Sequence, residues 1–161
     1  MGWMERIVIV TDDSPSARAA VETGLELARL LGASVTFVAV RGAVPIFGYA
    51  HAPRRLSDEL RETRAALAGP MDEALSLGVE ADFEIAEGPV AQEIVRTARY
   101  READLIVAGA QRDAFGELVE ISPLPVLVVK ERPPSDVARR SVVPTEQGSV
   151  SASDARRLVA P

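Results

Sequence analysis

Cysteine is absent from the 161-residue chain, and histidine occurs once, as His51. Without thiolates, the chain has no disulfides, cysteine nucleophiles or thiolate metal sites, and a reducing compartment is expected. A metal site built from several histidines is excluded as well. No apolar run reaches the roughly 18 residues that span a bilayer, and the first residues lack the basic and apolar segments of a signal peptide. These absences predict a cytoplasmic protein with no membrane partner.

Positive charge is also scarce. The chain has 18 basic and 24 acidic residues, which give a formal net charge of -6. Domains that bind nucleic acid usually need a basic face to neutralise phosphates, so no nucleic-acid partner is expected. The hydrophobic fraction of 47% and the charged fraction of 26% are instead typical of a globular domain with its own core.

Short apolar runs alternate with amphipathic segments along the chain. Continuous β-branched runs bounded by turn residues are typical of strands that are buried on both faces of a sheet. They predict strands over 6–11, 34–40, 105–108 and 125–129. Residues 80–85 alternate acidic and apolar side chains, as an edge strand with one wet face does. Strands that alternate with helices indicate an α/β fold with an open, doubly wound parallel sheet.

Apolar residues at helical spacing mark three helices between these strands. Ser14 and Pro15 start the first, because a serine hydroxyl caps free N–H groups and proline suits the first helical position. Gly32 ends it. The other two follow the second and third strands, over about 56–78 and 89–98. Gly69-Pro70 lies inside the second of them, where the proline removes a backbone hydrogen bond, and a kink or a break is expected there.

The composition changes after the last predicted strand. From Pro133 onward the chain is polar and has few large apolar residues. Such a segment buries too little apolar surface to offset its ordering entropy. We therefore expect a folded domain over 1–132 and a C-terminal tail over 133–161, which is either flexible or packed on a dimer partner.

Three stretches resemble the universal stress protein family. They are IVIVTDDSPSARAAVETGLELARLLGASVTFVAV, EGPVAQEIVRTARYREADLIVAGA and PLPVLVVK, and together they cover roughly residues 5 to 131. The first resembles the family's opening strand, which ends in an aspartate followed by a serine and an alanine-rich helix. The second resembles the family's third helix and fourth strand, with an Asp-Leu-Ile-Val run and a glycine. The third resembles the closing strand.

This resemblance implies more than the pattern of elements does. It implies a five-stranded parallel sheet of order 3-2-1-4-5, the adenine-nucleotide alpha-hydrolase-like fold. It also implies a homodimer that pairs through the last strand. The interface residues would be Val126, Leu127, Val128 and Val129. Some family members bind ATP and others do not, so the resemblance alone leaves the cofactor open.

A nucleotide would have one natural place in such a sheet. Ligands of open α/β sheets sit beyond the carboxyl ends of the strands, where the strand order reverses. Here that crevice lies between the first and fourth strands. The candidate residues are Asp12, Asp13, Ser14, Val40, Gly109, Gln111 and Arg112. Asp12 and Asp13 would touch a ribose or Mg²⁺, or would instead place favourable negative charge at the start of the first helix.

The phosphate-binding loop of the family's ATP-binding members is incomplete in this chain. Their pattern after the fourth strand is glycine, two residues, glycine, nine residues, then glycine with serine or threonine. Started at Gly109, the pattern places Arg112 at the second glycine and Ser122-Pro123 at the final pair. The predicted last strand begins at Pro125 and leaves no room for a following helix. A short helix over 114–121 is the most that fits.

Catalysis has little support in the sequence. His51 is the only candidate base of a serine triad, and no serine lies in a Gly-x-Ser-x-Gly setting. TDDSPS also lacks the glycines of the loop in related adenylating ATPases. The leading hypothesis is therefore a non-enzymatic, homodimeric stress-response or regulatory protein with an unknown protein partner, no family-type ATP site and no cofactor. The alternative is an adenine-nucleotide-dependent switch, and an enzyme of the wider fold ranks third.

Overall fold

Helices and strands alternate in a computed structural model that describes residues 3–12, 14–41, 52–110 and 112–131. The strands are β1 (Arg6–Val10), β2 (Ser34–Arg41), β3 (Ala81–Glu87), β4 (Leu105–Gly109) and β5 (Val126–Val129). The helices are α1 (Pro15–Leu31), α2 (Ala52–Ser76), α3 (Val90–Tyr100) and α4 (Arg112–Ile121). None of the helices in these ranges is long and apolar enough to cross a membrane. The predicted tail, 133–161, and His51 lie outside the described residues.

The five strands form one parallel sheet in the order β3-β2-β1-β4-β5. The predicted fold class and the strand order implied by the resemblance are both confirmed. β1 lies at the centre because its apolar run is buried on both faces, with Ile7 in register with Val35 on one side and Leu105 on the other. The acidic and apolar strand β3 lies at an edge, as its alternation predicts.

Successive residues of the central strands point to opposite faces of the sheet, and each face has its own apolar core. One face packs against α1 and α2, where Ile9 and Phe37 meet Leu25 and Leu67. The other packs against α3 and α4, where Ile106 meets Ile94 and Leu118. Because all five strands are parallel, their carboxyl ends lie at one edge of the sheet, which is where a ligand site of this fold would form.

Two helices are compared with their predictions, α2 at Pro70 and α4 at its first residue. Of the predicted kink or break in α2, the break is wrong, because the helix continues through Pro70 to Ser76. Leu67 and Ala74, on either side of the proline, are 2% and 1% exposed, so core packing holds both halves in place despite the lost hydrogen bond. α4 begins at Arg112, two residues before its predicted start, and ends at Ile121 as predicted.

Candidate functional site

The sheet brings the ends of β1, β2 and β4 to a common edge. β1 pairs with β2 on one side and with β4 on the other. Asp12 follows β1, Val40 is the residue before the last of β2, and Gly109 is the last residue of β4. The backbone N–H of Thr11 donates to the Val38 carbonyl (2.9 Å), which extends the pairing of β1 and β2 past the last residue of β1. The strand order reverses at β1 and β4, and this edge is therefore the crevice predicted for a ligand.

Asp12 and Ser14 build the N-terminus of α1. The Ser14 N–H donates to Asp12 Oδ1 (2.9 Å), and the Ala17 N–H donates to Ser14 Oγ (3.1 Å). Pro15 has no N–H to offer, so the donors of the first turn are largely satisfied inside the protein. Of the two roles predicted for Asp12, binding of a ribose or Mg²⁺ and stabilisation of the start of α1, this geometry shows the second. It also leaves few N–H donors at this end of α1 for an anion.

Gly109 is where β4 touches the first turn of α1. A Cβ at this position would lie 2.6 Å from the Ser16 carbonyl carbon and 2.8 Å from the Ala17 nitrogen. Both neighbours are backbone atoms of a helix and cannot rotate away. Gly109 was predicted to line the crevice. The need for a residue without a Cβ at this position could not be predicted, because it depends on the distance between two elements that are far apart in the chain.

The segment between β4 and β5 is occupied by α4, without a glycine-rich loop. α4 begins at Arg112, three positions after Gly109, and the Ala110 N–H already donates to the Val129 carbonyl (2.9 Å). After Ile121 the Leu124 N–H donates to Ser122 Oγ (3.1 Å), in a turn that leads directly into β5. No helix lies between α4 and β5 in this described segment, as predicted from the spacing.

The remaining candidate residues divide into three groups. Asp13 and Gln111 lie outside the described residues, and of Arg112 the structure describes only its backbone position at the start of α4. Val40 is partly buried against the core of the α3 and α4 face. Arg41, next along β2, points to the sheet edge, where its Nη2 lies 3.1 Å from Glu87 Oε2 on β3.

A cleft between α1 and α2 opens near the same edge and was not found from the sequence. Its volume is about 600 Å³, and Thr11 at the end of β1 contributes to its wall. The lining residues are Thr11, Arg18, Val21, Glu22, Glu62, Ala65, Ala66, Gly69, Pro70 and Glu73. They come from three separate elements, so no local motif signals the cleft. Across the described ranges, no three histidine, aspartate or glutamate side chains converge closely enough to hold a metal ion.

Comparison with known proteins decides the family. A sequence model of the Universal stress protein family matches residues 4–130, which is most of the chain. The chain belongs to the universal stress protein family. A universal stress protein of Methanocaldococcus jannaschii is 33% identical over 140 residues, which cover 79% of this chain and 82% of that relative. The resemblance seen in the sequence is confirmed over the stretch where it was expected.

Solved structures of family members have the same fold. A Burkholderia pseudomallei protein of the universal stress protein family is 29% identical and superposes with a TM-score of 0.69, covering 78% of this chain and 96% of its own. An Archaeoglobus fulgidus universal stress protein in complex with dAMP is 21% identical, with a TM-score of 0.64 and coverage of 81% and 100%. Other members with this fold were solved with cAMP and with AMP, at 21% and 16% identity.

Proposed function

We propose that this universal stress protein is a non-enzymatic, cytoplasmic stress-response regulator that acts as a homodimer and does not hold ATP in the manner of the family's ATP-binding members. The observation that carries the nucleotide part is the early start of α4 at Arg112. A helix that begins three positions after β4 leaves no stretch in which glycines could fold backbone N–H groups around phosphates.

The backbone donors near the crevice support the same conclusion. The Ala110 N–H is bonded to β5, the Ala17 N–H is bonded to Ser14, and Pro15 has none. A triphosphate needs several such donors together with cationic side chains. With these donors already engaged, the β- and γ-phosphates would gain few hydrogen bonds here in exchange for those they make with water.

The dimer part of the proposal is supported by β5. This strand pairs with β4, and its other edge has no pairing partner among the described residues. Leu127 is in register with Val107 on the α1 face and is 36% exposed, whereas Val128 is in register with Ala108 on the α3 and α4 face. An unpaired edge that carries apolar side chains favours pairing with the same strand of a second copy.

The substitution Leu127→Glu is therefore expected to separate the dimer into monomers. A charge placed in an apolar strand interface loses its hydration without gaining a partner. Light scattering at micromolar concentration would report the mass of the wild-type chain and of the variant. The matched control is Phe83→Glu, which puts the same charge on a 46% exposed apolar residue of the opposite edge strand, β3.

The wild type and Phe83→Glu should both have twice the mass of the chain, while Leu127→Glu has the mass of one chain. A monomeric wild type would contradict the proposed dimer. Dissociation by Phe83→Glu, with Leu127→Glu still dimeric, would move the interface to β3 instead.

The alternative function, an adenine-nucleotide-dependent switch, is favoured by a specific observation. The family members solved with dAMP, AMP and cAMP hold ligands with a single phosphate. Such ligands do not need the donors that would hold β- and γ-phosphates. The crevice beside Asp12 and Gly109 is still formed by the carboxyl ends of β1 and β4 in this chain.

Mass analysis of nucleotide carried through purification, followed by calorimetry with ATP and Mg²⁺, tests the proposal. We expect no nucleotide to copurify and no ATP binding tighter than about 1 mM, which corresponds to about 4 kcal/mol. Micromolar ATP binding that is abolished by Asp12→Ala would contradict the proposal and would establish the nucleotide switch in its place.

A further inference from the structure

We propose that α4 forms part of the dimer interface, where Val119 packs against the same helix of a second copy. This rests on the proposed dimer through β5, and it adds a layer of contact that the strand alone does not supply. The observations that support it are the short length of β5, the position of α4 over the edge of the sheet and an exposed apolar side chain on the outer side of that helix.

β5 is too short to hold two copies together by itself. It has four residues, Val126–Val129, which extend over about 13 Å. A stable interface of standard size buries about 800 Å² on each partner. Pairing of two such short strands continues the sheet but covers little more than their own edges. The layers of helices beside β5 must therefore supply most of the contact.

α4 lies over β4 and β5, at the edge where the second copy would pair. It connects these two neighbouring parallel strands, and such a crossover helix packs back onto the strands that it joins. Leu118 on α4 is buried in the same apolar cluster as Ile106 on β4, and Val126 on β5 packs against that cluster. Of the two helices on this face of the sheet, α4 is therefore the one nearer the free edge of β5.

The outer side of α4 carries an exposed valine. On the same face of the sheet, α3 runs in the same direction as α4, and its Thr97, the residue before the buried Ala98, donates to Glu84 on β3 (3.4 Å). Successive residues of an α-helix are about 100° apart, so on this face a residue before a core position points toward β3 and one after it points toward β5. Val119 follows the buried Leu118 and is 50% exposed. Val119 therefore lies on the side of α4 that faces the second copy.

The spacing of the strands places the two α4 helices at packing distance. Neighbouring strands lie about 4.8 Å apart, and α4 lies between β4 and β5. When β5 pairs with β5 of a second copy, the two α4 axes are about two strand spacings apart, or about 10 Å. Packed helices have axes about 8–10 Å apart. The Val119 side chains of both copies would then fill the space between the helices, because a two-fold interface uses the same surface of each copy.

The opposite face of the sheet provides a contrast. α1 lies over β1 and β4, because a Cβ at Gly24 would be 2.5 Å from Ile9 Cδ1 and 3.6 Å from Val107 Cγ1. This position is one strand farther from the free edge, so the two α1 axes of a dimer would be about four strand spacings apart, or about 19 Å. Leu30 on α1 is 69% exposed, but at this distance it does not reach α1 of the second copy.

Light scattering over a concentration series tests the proposal with the full chain. Val119→Glu should raise the dissociation constant of the dimer at least about a hundredfold, because each copy buries one unpaired charge and each charge costs about tenfold or more. The matched control is Leu30→Glu, which places the same charge on a more exposed apolar residue. It should leave the dissociation constant within about twofold, as expected of a surface substitution.

A mixture of Val119→Glu and Val119→Lys should recover the dimer, since the two-fold contact brings opposite charges together. Recovery also separates loss of the interface from loss of the fold, which a charge on the partner would not restore. If the mixture stays monomeric, the proposed contact between the two Val119 side chains is overturned.

The Leu127→Glu variant distinguishes failure of this contact from failure of the dimer itself. Dissociation by Leu127→Glu but not by Val119→Glu would place α4 outside the interface and overturn the proposed contact, while the dimer through β5 stands. Equal weakening by Val119→Glu and Leu30→Glu would overturn the contact as well, because added charge alone would then explain the loss. A monomeric wild type would overturn both the contact and the dimer.

Discussion

Gly109→Ala should destabilise the protein by about 1–3 kcal/mol, the usual cost of overpacking a tight contact. The new Cβ would meet the Ser16 carbonyl at 2.6–2.7 Å and the Ala17 nitrogen at 2.8 Å. Real Cβ atoms do not approach backbone this closely, so the first turn of α1 or the end of β4 must move. The movement would also displace Ser14 and Asp12, and any ligand of the crevice should bind more weakly.

Urea unfolding of the wild type and the variant measures this cost. Gly116→Ala is the matched control, because a Cβ on Gly116 meets nothing within 4 Å in α4. Alanine is a better helix former than glycine, and the control should stabilise the protein by up to about 1 kcal/mol. Opposite signs for the same substitution would establish that the contact with α1 is the cause. A neutral Gly109→Ala would show that α1 does not pack this closely on β4.

Phe37→Ala should be still more destabilising, at about 3–5 kcal/mol. Phe37 is fully buried in the core between the sheet and the α1 and α2 layer. Its removal takes a large apolar side chain from the core and leaves a cavity that rigid neighbours fill only in part. Against a total stability of about 5–15 kcal/mol for a domain, this loss is enough to unfold a marginal protein.

The neighbouring strand provides a control with the same side chain. Phe83 on β3 is in register with Phe37 on β2, but it is 46% exposed at the sheet edge. Phe83→Ala should cost at most about 1.5 kcal/mol, because only part of its surface leaves water on folding. Denaturant midpoints of the two variants give the comparison. Equal losses would mean that β3 is covered on that face and is not an exposed edge.

Most of the strands and helices could be predicted because the residue pattern of each one agrees with its place in the fold. The apolar runs of β1 and β2 require burial on both faces, and the Ser14 cap and Gly32, at a φ of 66°, delimit α1 within a few residues. The acidic alternation of β3 indicates an edge strand, because its charged side chains need a face in contact with water. The strand order follows from the family resemblance, since no single strand carries that information.

The features that the sequence did not reveal depend on contacts between distant elements. Pro70 predicted a kink or a break in α2, and no break occurs because core packing of Leu67 and Ala74 outweighs the missing hydrogen bond. The close approach of Gly109 to Ser16 and the acidic cleft between α1 and α2 arise only when helices meet the sheet. In the candidate site, the incomplete phosphate loop could be predicted because it is a pattern of neighbouring residues. The hydrogen bond from the Ala110 N–H to Val129 could not, because it depends on how β4 pairs with β5.

We propose that this chain has the fold of the family's nucleotide-binding members but lacks the backbone and side-chain donors that would hold a triphosphate. Calorimetric titration with AMP, ADP and ATP, each with Mg²⁺, tests it most directly. If no protein groups hold the β- and γ-phosphates, ATP should bind no more tightly than AMP, and its dissociation constant should exceed about 1 mM. ATP binding at least about tenfold tighter than AMP, an increment of about 1.4 kcal/mol supplied by the added phosphates, would contradict the claim.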